Sequence, residues 1–315
     1  MEGKRYDEIG YMVDTYEKLS NLIGKYSRTL EQKVQERTTQ LASANDEITH
    51  LNQQLTAENV RMSAELEVSR QLQELILPKD QELKQINQLD IATFMEPAEE
   101  FGGDYYDVLQ FNGRTQIGIG DVTGHGLESG MLMLMAQTAV RTLLLHGESD
   151  SEKVLNTLNQ TIYANAQRMN SERNMTLSLL DYRAGKVCLT GQHEEVIIVR
   201  NSGDVECIDT IDLGFPLGLE SDISEFINQT QLEIAPGDGL VLYTDGITEA
   251  ENTQGTHYGL PRLCELVKSH WYLTAEEIRR QVIQDVQTHI GSQKVFDDIT
   301  LLVLKRPMQP AVNLV

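Results

Sequence analysis

Between Leu19 and Leu77 the apolar residues Val34, Leu41, Ile48, Leu55 and Met62 recur at every seventh position, the spacing of a coiled-coil seam. Taking these as position a puts Leu30, Arg37, Ala44, Leu51 and Glu58 at position d, so that row mixes apolar and charged side chains. The pattern predicts one long helix that forms a marginal parallel coiled coil, and hence a homodimer. At Leu66 the period slips by one residue, because the regular step falls on Glu65, and such a slip changes the local winding. Two readings stay open: a stalk that only dimerises, or a helix whose weak seam holds two registers and passes a signal. The first proline is Pro78, so the residue that most reliably stops a helix is absent from the whole first quarter.

After Pro78 the pattern changes. Short runs rich in β-branched residues and bounded by Gly, Asp or Asn predict strands at 115–119, 176–180, 187–189, 196–199, 239–243 and 299–304. Helical periods occupy 129–145, 151–168, 260–269 and 275–290, the last opened by Thr274 as N-cap with Glu276 and Glu277 in the first turn. Strands grouped around helices without regular βαβ alternation indicate an α+β fold. The expected organisation is a short segment 1–18, a coiled-coil helix 19–77, a globular domain 78–310 and a tail 311–315.

Composition narrows the partners. The chain has 315 residues, 40% of them hydrophobic, which is enough for a core and excludes global disorder. Its 26 Lys and Arg against 48 Asp and Glu leave 26 − 48 = −22, an acidic balance that argues against nucleic acid and anionic lipid. Residues 1–78 hold 9 basic and 13 acidic side chains, so −18 of that charge follows Pro78. Cys188, Cys207 and Cys264 form no CxxC pair and read as reduced structural cysteines of a cytoplasmic protein. The stretch 131–145 is interrupted by Gln137 and Arg141, too short and polar to span a bilayer, and its Met131, Met133 and Met135 read as helix core. Glu2, Lys4, Arg5 and Asp7 stand where a signal peptide would be apolar.

Four acidic positions follow strands or enter glycine-bearing turns: Asp104 in Gly102-Gly103-Asp104-Tyr105-Tyr106-Asp107, Asp121 in Asp121-Val122-Thr123-Gly124-His125-Gly126, Asp245 in Tyr243-Thr244-Asp245-Gly246, and Asp297 with Asp298 before Ile299-Thr300. Turn chemistry alone accounts for any one of them. Together, carboxylates brought within a few ångströms repel by about 4 kcal/mol per close pair at an effective dielectric of 20, and divalent cations offset that cost. An all-oxygen set selects hard ions, Mg2+ or Mn2+. Two such ions suit phosphate-ester hydrolysis, with glycines letting the backbone approach ions and phosphate.

In order, spacing and strand context, these four motifs resemble the metal-dependent protein phosphatase (PPM) family, and within it the bacterial SpoIIE-like branch, over roughly residues 70–306. The resemblance implies an αββα sandwich of two antiparallel sheets between helices, a binuclear Mn2+ or Mg2+ site, and hydrolysis of phosphoserine or phosphothreonine on a protein. It implies that Asp121 bridges the metals with the Val122 carbonyl beside it. Asp245 and Asp297 hold the second ion, Asp104 reaches the first, and Asp298 is the weaker candidate of its pair. The attacking group is then a metal-bridging water held by Asp121 and Asp245. The place of a proposed general acid in other branches falls on Thr123, with His125 two residues beyond. Gly191-Gln192-His193-Glu194-Glu195 stands where the branch usually has Gly-His-Pro-Pro, and His193 reads as structural.

Upstream, Arg5-Tyr6-Asp7-Glu8-Ile9-Gly10-Tyr11-Met12 resembles the start of the second HAMP helix, which implies the cytoplasmic part of a membrane-anchored sensor. Leu72 to Pro78 resembles the helix that opens the phosphatase branch. By the same analogy the substrate is a phosphorylated STAS-type anti-sigma-factor antagonist. Two alternatives are a dimeric pseudophosphatase that only binds a partner and a metal-dependent hydrolase of small phosphate esters; the chain has no GxxxxGK[ST] loop for a nucleotide.

Overall fold

The structure is a computed structural model; it describes residues 3–98 and 102–308, without the side chains of 3–7, 62–72 and 74. The chain divides into two compact units, Met1–Glu65 and Leu66–Val315. In chain order the elements are α1 (Gly3–Ile76), α2 (Asp80–Leu83), β1 (Asp90–Glu96), β2 (Tyr105–Phe111), β3 (Arg114–Val122), α3 (Leu127–His146), α4 (Ser151–Met169), β4 (Met175–Arg183), β5 (Lys186–Thr190), β6 (Val196–Val199), β7 (Val205–Ile208), β8 (Gln229–Glu233), β9 (Gly239–Tyr243), α5 (Asp245–Thr248), α6 (Leu260–His270), α7 (Ala275–Ile290) and β10 (Ile299–Lys305).

The first unit is helical. Val34, Leu41, Ile48 and Leu55 of the heptad row are all exposed there, as are Leu30 and Leu51. The side chains of Met62, Glu65 and Leu66, where the seam slips, and part of the HAMP-like segment lie outside the described residues, as does the 311–315 tail. No described helix is long and apolar enough to cross a membrane.

The second unit has two five-stranded antiparallel sheets, ordered β1-β10-β9-β6-β7 and β2-β3-β4-β5-β8. Three apolar layers separate four layers of structure. Ile197, Val241, Tyr243, Leu301 and Val303 face α6 and α7, while Ile198, Leu240, Leu242, Leu302 and Leu304 on the same strands face Ile117, Ile119, Leu180 and Leu189 of the second sheet. From that sheet Leu177 and Leu179 turn outward to Leu132, Val140, Leu155 and Leu158 of α3 and α4. Both faces of each sheet are therefore covered, which is why these strands read as unbroken apolar runs instead of alternating ones. This is the expected αββα sandwich.

Pro78 falls just past the last residue of α1, and Thr274 closes a capping box with Glu277. Met133 is core and Met135 packs against it, whereas Met131, expected in the core, is exposed. Four strands escape a pattern reading. β7 and β8 are half-exposed sheet edges with Glu and Gln among few apolar residues, β1 buries fully only Ala92, and β2 coincides with a motif that reads as a turn.

Candidate metal centre

Sheet closure brings the acidic motifs to one end of the sandwich. Asp121 sits near the end of β3 and Asp104 just before its neighbour β2; Asp245 follows β9 after Thr244 and opens α5, and Asp297 and Asp298 lead into its neighbour β10. Residues far apart in sequence thus meet. The Thr244 hydroxyl donates to Asp104 Oδ2 at 2.8 Å, and the Thr300 hydroxyl donates to the same oxygen. Thr300 N–H in turn donates to Thr244 Oγ1 at 3.1 Å. Asp298 is buried and accepts backbone N–H groups on both oxygens, from Ala98 at 2.8 Å and from Asp104 at 3.2 Å. It binds loops together, whereas Asp297 is exposed beside it.

Glycine is required at this approach. A Cβ on Gly102 would stand 2.2 Å from Asp298 Oδ2, on Gly246 2.0 Å from the Asp298 carbonyl, and on Gly103 2.8 Å from the Val122 carbonyl and 3.1 Å from Asp121 Oδ1. Gly102 is also gripped by Gln73 of α1, whose Oε1 accepts its N–H at 3.1 Å and whose Nε2 donates to its carbonyl at 3.3 Å.

Electrostatics confirm that these acids feel one another. Burial, and then the charges of Asp245, Asp297 and Asp298, push Asp121 up to about 8. Burial followed by Asp297 and Glu249 lifts Asp245 to about 6. Asp104 lies well above the usual carboxylate range, from burial first and then Asp121 and Asp298, and burial also raises Asp298. Among the described residues no three of these groups close into a ready-made cage. The donor set nevertheless fits a hard divalent cation: it is all oxygen, glycine-lined, and carries repulsion that a cation would relieve.

The loop after Asp121 is held from outside. Arg173 donates to the carbonyls of Thr123 and His125, at 3.3 Å for the latter, and pairs with Glu128 at 3.3 Å. The Thr123 hydroxyl is engaged with the Asn174 backbone, donating to its carbonyl at 3.3 Å and accepting its N–H at 3.1 Å. His193 Nδ1 meets Thr176 Oγ1 at 2.8 Å, and burial pushes the imidazole down to about 4, so it is neutral near pH 7. Glu194, not singled out from the sequence, belongs to this neighbourhood: burial, then Asp245, Glu249 and Glu195, push it up to about 7. The departure of Gln192-His193-Glu194 from Gly-His-Pro-Pro was its only signal. Thr244 and Thr300 stand beside acidic motifs and Gln73 within the Leu72 to Pro78 segment, but nothing local marks any of them as a contact, and Arg173 carries no signal.

The layers and the strand-end carboxylates define a PP2C-type phosphatase fold. The SiaA PP2C domain of Pseudomonas aeruginosa superposes with a TM-score of 0.69 at 20% identity, over 79% of this chain and 98% of that one. RsbX in complex with magnesium gives 0.51 at 14% identity, over 69% and 97%. In sequence, the phosphoserine phosphatase RsbU of Bacillus subtilis (strain 168) is 27% identical over 253 residues, 78% of this chain and 71% of RsbU. The family model for stage II sporulation protein E matches residues 112–307, and the chain belongs to the SpoIIE family.

Proposed function

We propose that this chain, a serine/threonine protein phosphatase of the SpoIIE kind, hydrolyses phosphoserine or phosphothreonine on a protein with two Mn2+ or Mg2+ ions held by Asp104, Asp121, Asp245, Asp297 and the Val122 carbonyl. The observation that carries this reading is the gathering of Asp104, Asp121, Asp245 and Asp298 at one end of two sheets, where burial and neighbouring carboxylates raise them and, among the described residues, no lysine or arginine is a leading cause. Bound divalent ions would supply Lewis acidity for the phosphoryl oxygens and a water nucleophile at neutral pH.

The chain's own residues would do the rest. Thr244 and Thr300 orient Asp104 by donating to one oxygen and leaving the other to coordinate. Asp298 remains the weaker ligand candidate and acts chiefly through the loops it joins, since each of its oxygens already accepts an N–H group. Arg173 fixes the loop that follows the Val122 carbonyl. Thr123 and His193 are already engaged in structural hydrogen bonds, which favours positioning over proton transfer for both.

The similarity to RsbU, a phosphoserine phosphatase, supports a phosphoserine substrate, and by analogy with the branch we take it to be a phosphorylated STAS-type anti-sigma-factor antagonist. The −18 charge after Pro78 means that a phosphorylated partner is not steered in at long range, so recognition rests on the ions and on docking. Mn2+-dependent phosphate release from a phosphoprotein should fall by roughly 10^3-fold in Asp121→Asn and in Asp245→Asn, about 4 kcal/mol of lost transition-state stabilisation. Full activity in both variants would sink the two-ion reading, and absence of release from the unaltered chain would favour a binding-only protein.

We further propose that the heptad helix forms a parallel homodimer and sets the activity, as the cytoplasmic part of a sensor. The exposed Leu30, Val34, Leu41, Ile48, Leu51 and Leu55 support pairing. Insertions of one to seven residues near Met62 should make phosphate release vary with helical phase; equal activity for all of them rejects the control.

A further inference from the structure

Two of the three cysteines, 57 positions apart and unremarkable in the sequence, meet in the fold: Cys207 Sγ lies 3.7 Å from Cys264 Sγ. Both are free thiols. We propose that Cys207 and Cys264 are an oxidative modification site, a thiol pair that a hydroperoxide converts to a disulfide joining β7 to α6.

The surroundings favour this pair over a permanent bond or an inert contact. Cys207 is exposed on β7, a four-residue edge strand whose partner is β6, with Cys207 opposite Ile197. Cys264 is half-buried on α6 against the layer that includes Ile197, Leu263 and Val267. A disulfide places its sulfurs about 2.05 Å apart, so they must close by roughly 1.7 Å. A short strand with a neighbour on one side can move that far.

The chemistry assigns distinct roles. The exposed Cys207 meets the oxidant first: its sulfur attacks the peroxide, an S–O bond forms as O–O breaks, and the peroxide is reduced to water or alcohol, leaving a sulfenic acid. Cys264 then attacks the Cys207 sulfur. The S–S bond forms, S–O breaks, and the hydroxyl leaves as water with the Cys264 proton. Burial, and then the adjacent Cys207 sulfur, push the Cys264 thiol up to about 12, so closure of the disulfide is the slow step. Among the described residues no lysine or arginine is a leading influence favouring the Cys264 thiolate, so the pair serves as a slow, reversible lock. Cys188 lies on β5 of the other sheet, against Gln229 Oε1, and is an internal control.

The link would fasten more than the edge. The N-terminal end of α6 is tied to the segment after Asp245, through Gly259 N–H to the Thr248 carbonyl at 2.8 Å and Tyr258 N–H to the Ala250 carbonyl at 2.9 Å.

The test is peptide mapping by mass spectrometry of the full chain, under non-reducing conditions, after treatment with hydrogen peroxide. The expected product is an intramolecular cross-link between the peptides carrying Cys207 and Cys264, lighter by two hydrogens and reversed by dithiothreitol, with Cys188 still alkylated by iodoacetamide. The oxidised chain should melt about 5 °C higher. Cys264→Ser should stop at a dimedone-trapped sulfenic acid on Cys207, and Cys207→Ser should form no cross-link. Cys207 found only as sulfinic acid, only in intermolecular dimers, or unreacted while Cys188 oxidises would each overturn the proposal.

Discussion

Asp104 and Asp107 lie three positions apart in one motif, and both are almost wholly buried, at 1% and 2% exposure. Their surroundings are opposite. Arg141 of α3 reaches Asp107 with Nε at 2.7 Å and Nη2 at 3.0 Å, a two-pronged ion pair made within the chain. Asp104 receives two hydroxyls and faces the charges of Asp121 and Asp298. Where the fold buries a carboxylate to build structure it supplies the cation itself; where, among the described residues, it gathers more carboxylates instead, protons or an external cation must offset the charge. Arg200 with Asp238, on the other sheet, repeats the first arrangement at 3.1 Å.

The largest effect expected from this contrast is on Asp107. Arg141→Ala should leave an unpaired buried carboxylate and lower stability by about 3 kcal/mol, seen as an earlier midpoint in urea unfolding. A loss below about 1 kcal/mol would mean that Asp107 finds another partner, and the contrast with Asp104 would collapse.

Asp104→Asn should act in the opposite direction. Asn retains an oxygen for Thr244 and Thr300 but removes the repulsion, so the metal-free protein should gain about 1–2 kcal/mol while phosphate release is lost. The pH dependence shares this origin. Asp121 at about 8 and Asp245 at about 6 both lie above the unfolded value of 3.8, so between these values the folded chain binds more protons than the unfolded one. Stability of the metal-free protein should therefore fall as pH rises from about 4 to about 8, the reverse of an ion-paired carboxylate. If the two-ion reading holds, saturating Mn2+ would take the place of those protons and should flatten or invert the slope. Urea midpoints across that window, with and without Mn2+, check the sign; stability rising with pH in the metal-free chain would contradict the shared cluster.

The same physics separates what was legible in the sequence from what was not. Strands such as β6, β9 and β10 are apolar on both faces because both faces are covered, and they stand out in the pattern. The acidic motifs stand out because glycine and strand ends are local features. Partnership is not local: Arg141 lies 34 positions from Asp107, and Thr244 and Thr300 lie 140 and 196 from Asp104. Nothing near Asp107 marks it as the satisfied member of its motif, and nothing near Glu194 reveals that Asp245 is its neighbour. The 3.7 Å approach of Cys207 and Cys264 is hidden for the same reason, since sheet order rather than spacing creates it.

The smallest effect tests how far the contrast extends into α1. Gln73 is buried, and its amide closes two hydrogen bonds on Gly102, the residue whose missing Cβ leaves room for Asp298. Asp298 in turn accepts the Asp104 N–H, so the end of α1 is joined to the buried acid through one glycine and one loop carboxylate. Gln73→Ala leaves the Gly102 N–H and carbonyl without these partners and should cost about 1 kcal/mol. If Gly102 only packs, stability falls and the Mn2+ concentration for half-maximal phosphate release stays fixed. If Gly102 sets where Asp298 and Asp104 stand, that concentration rises by several-fold. Gln73→Glu then discriminates further, because it keeps an oxygen for the Gly102 N–H but loses the donor to the carbonyl and adds a carboxylate to a site that already has too many.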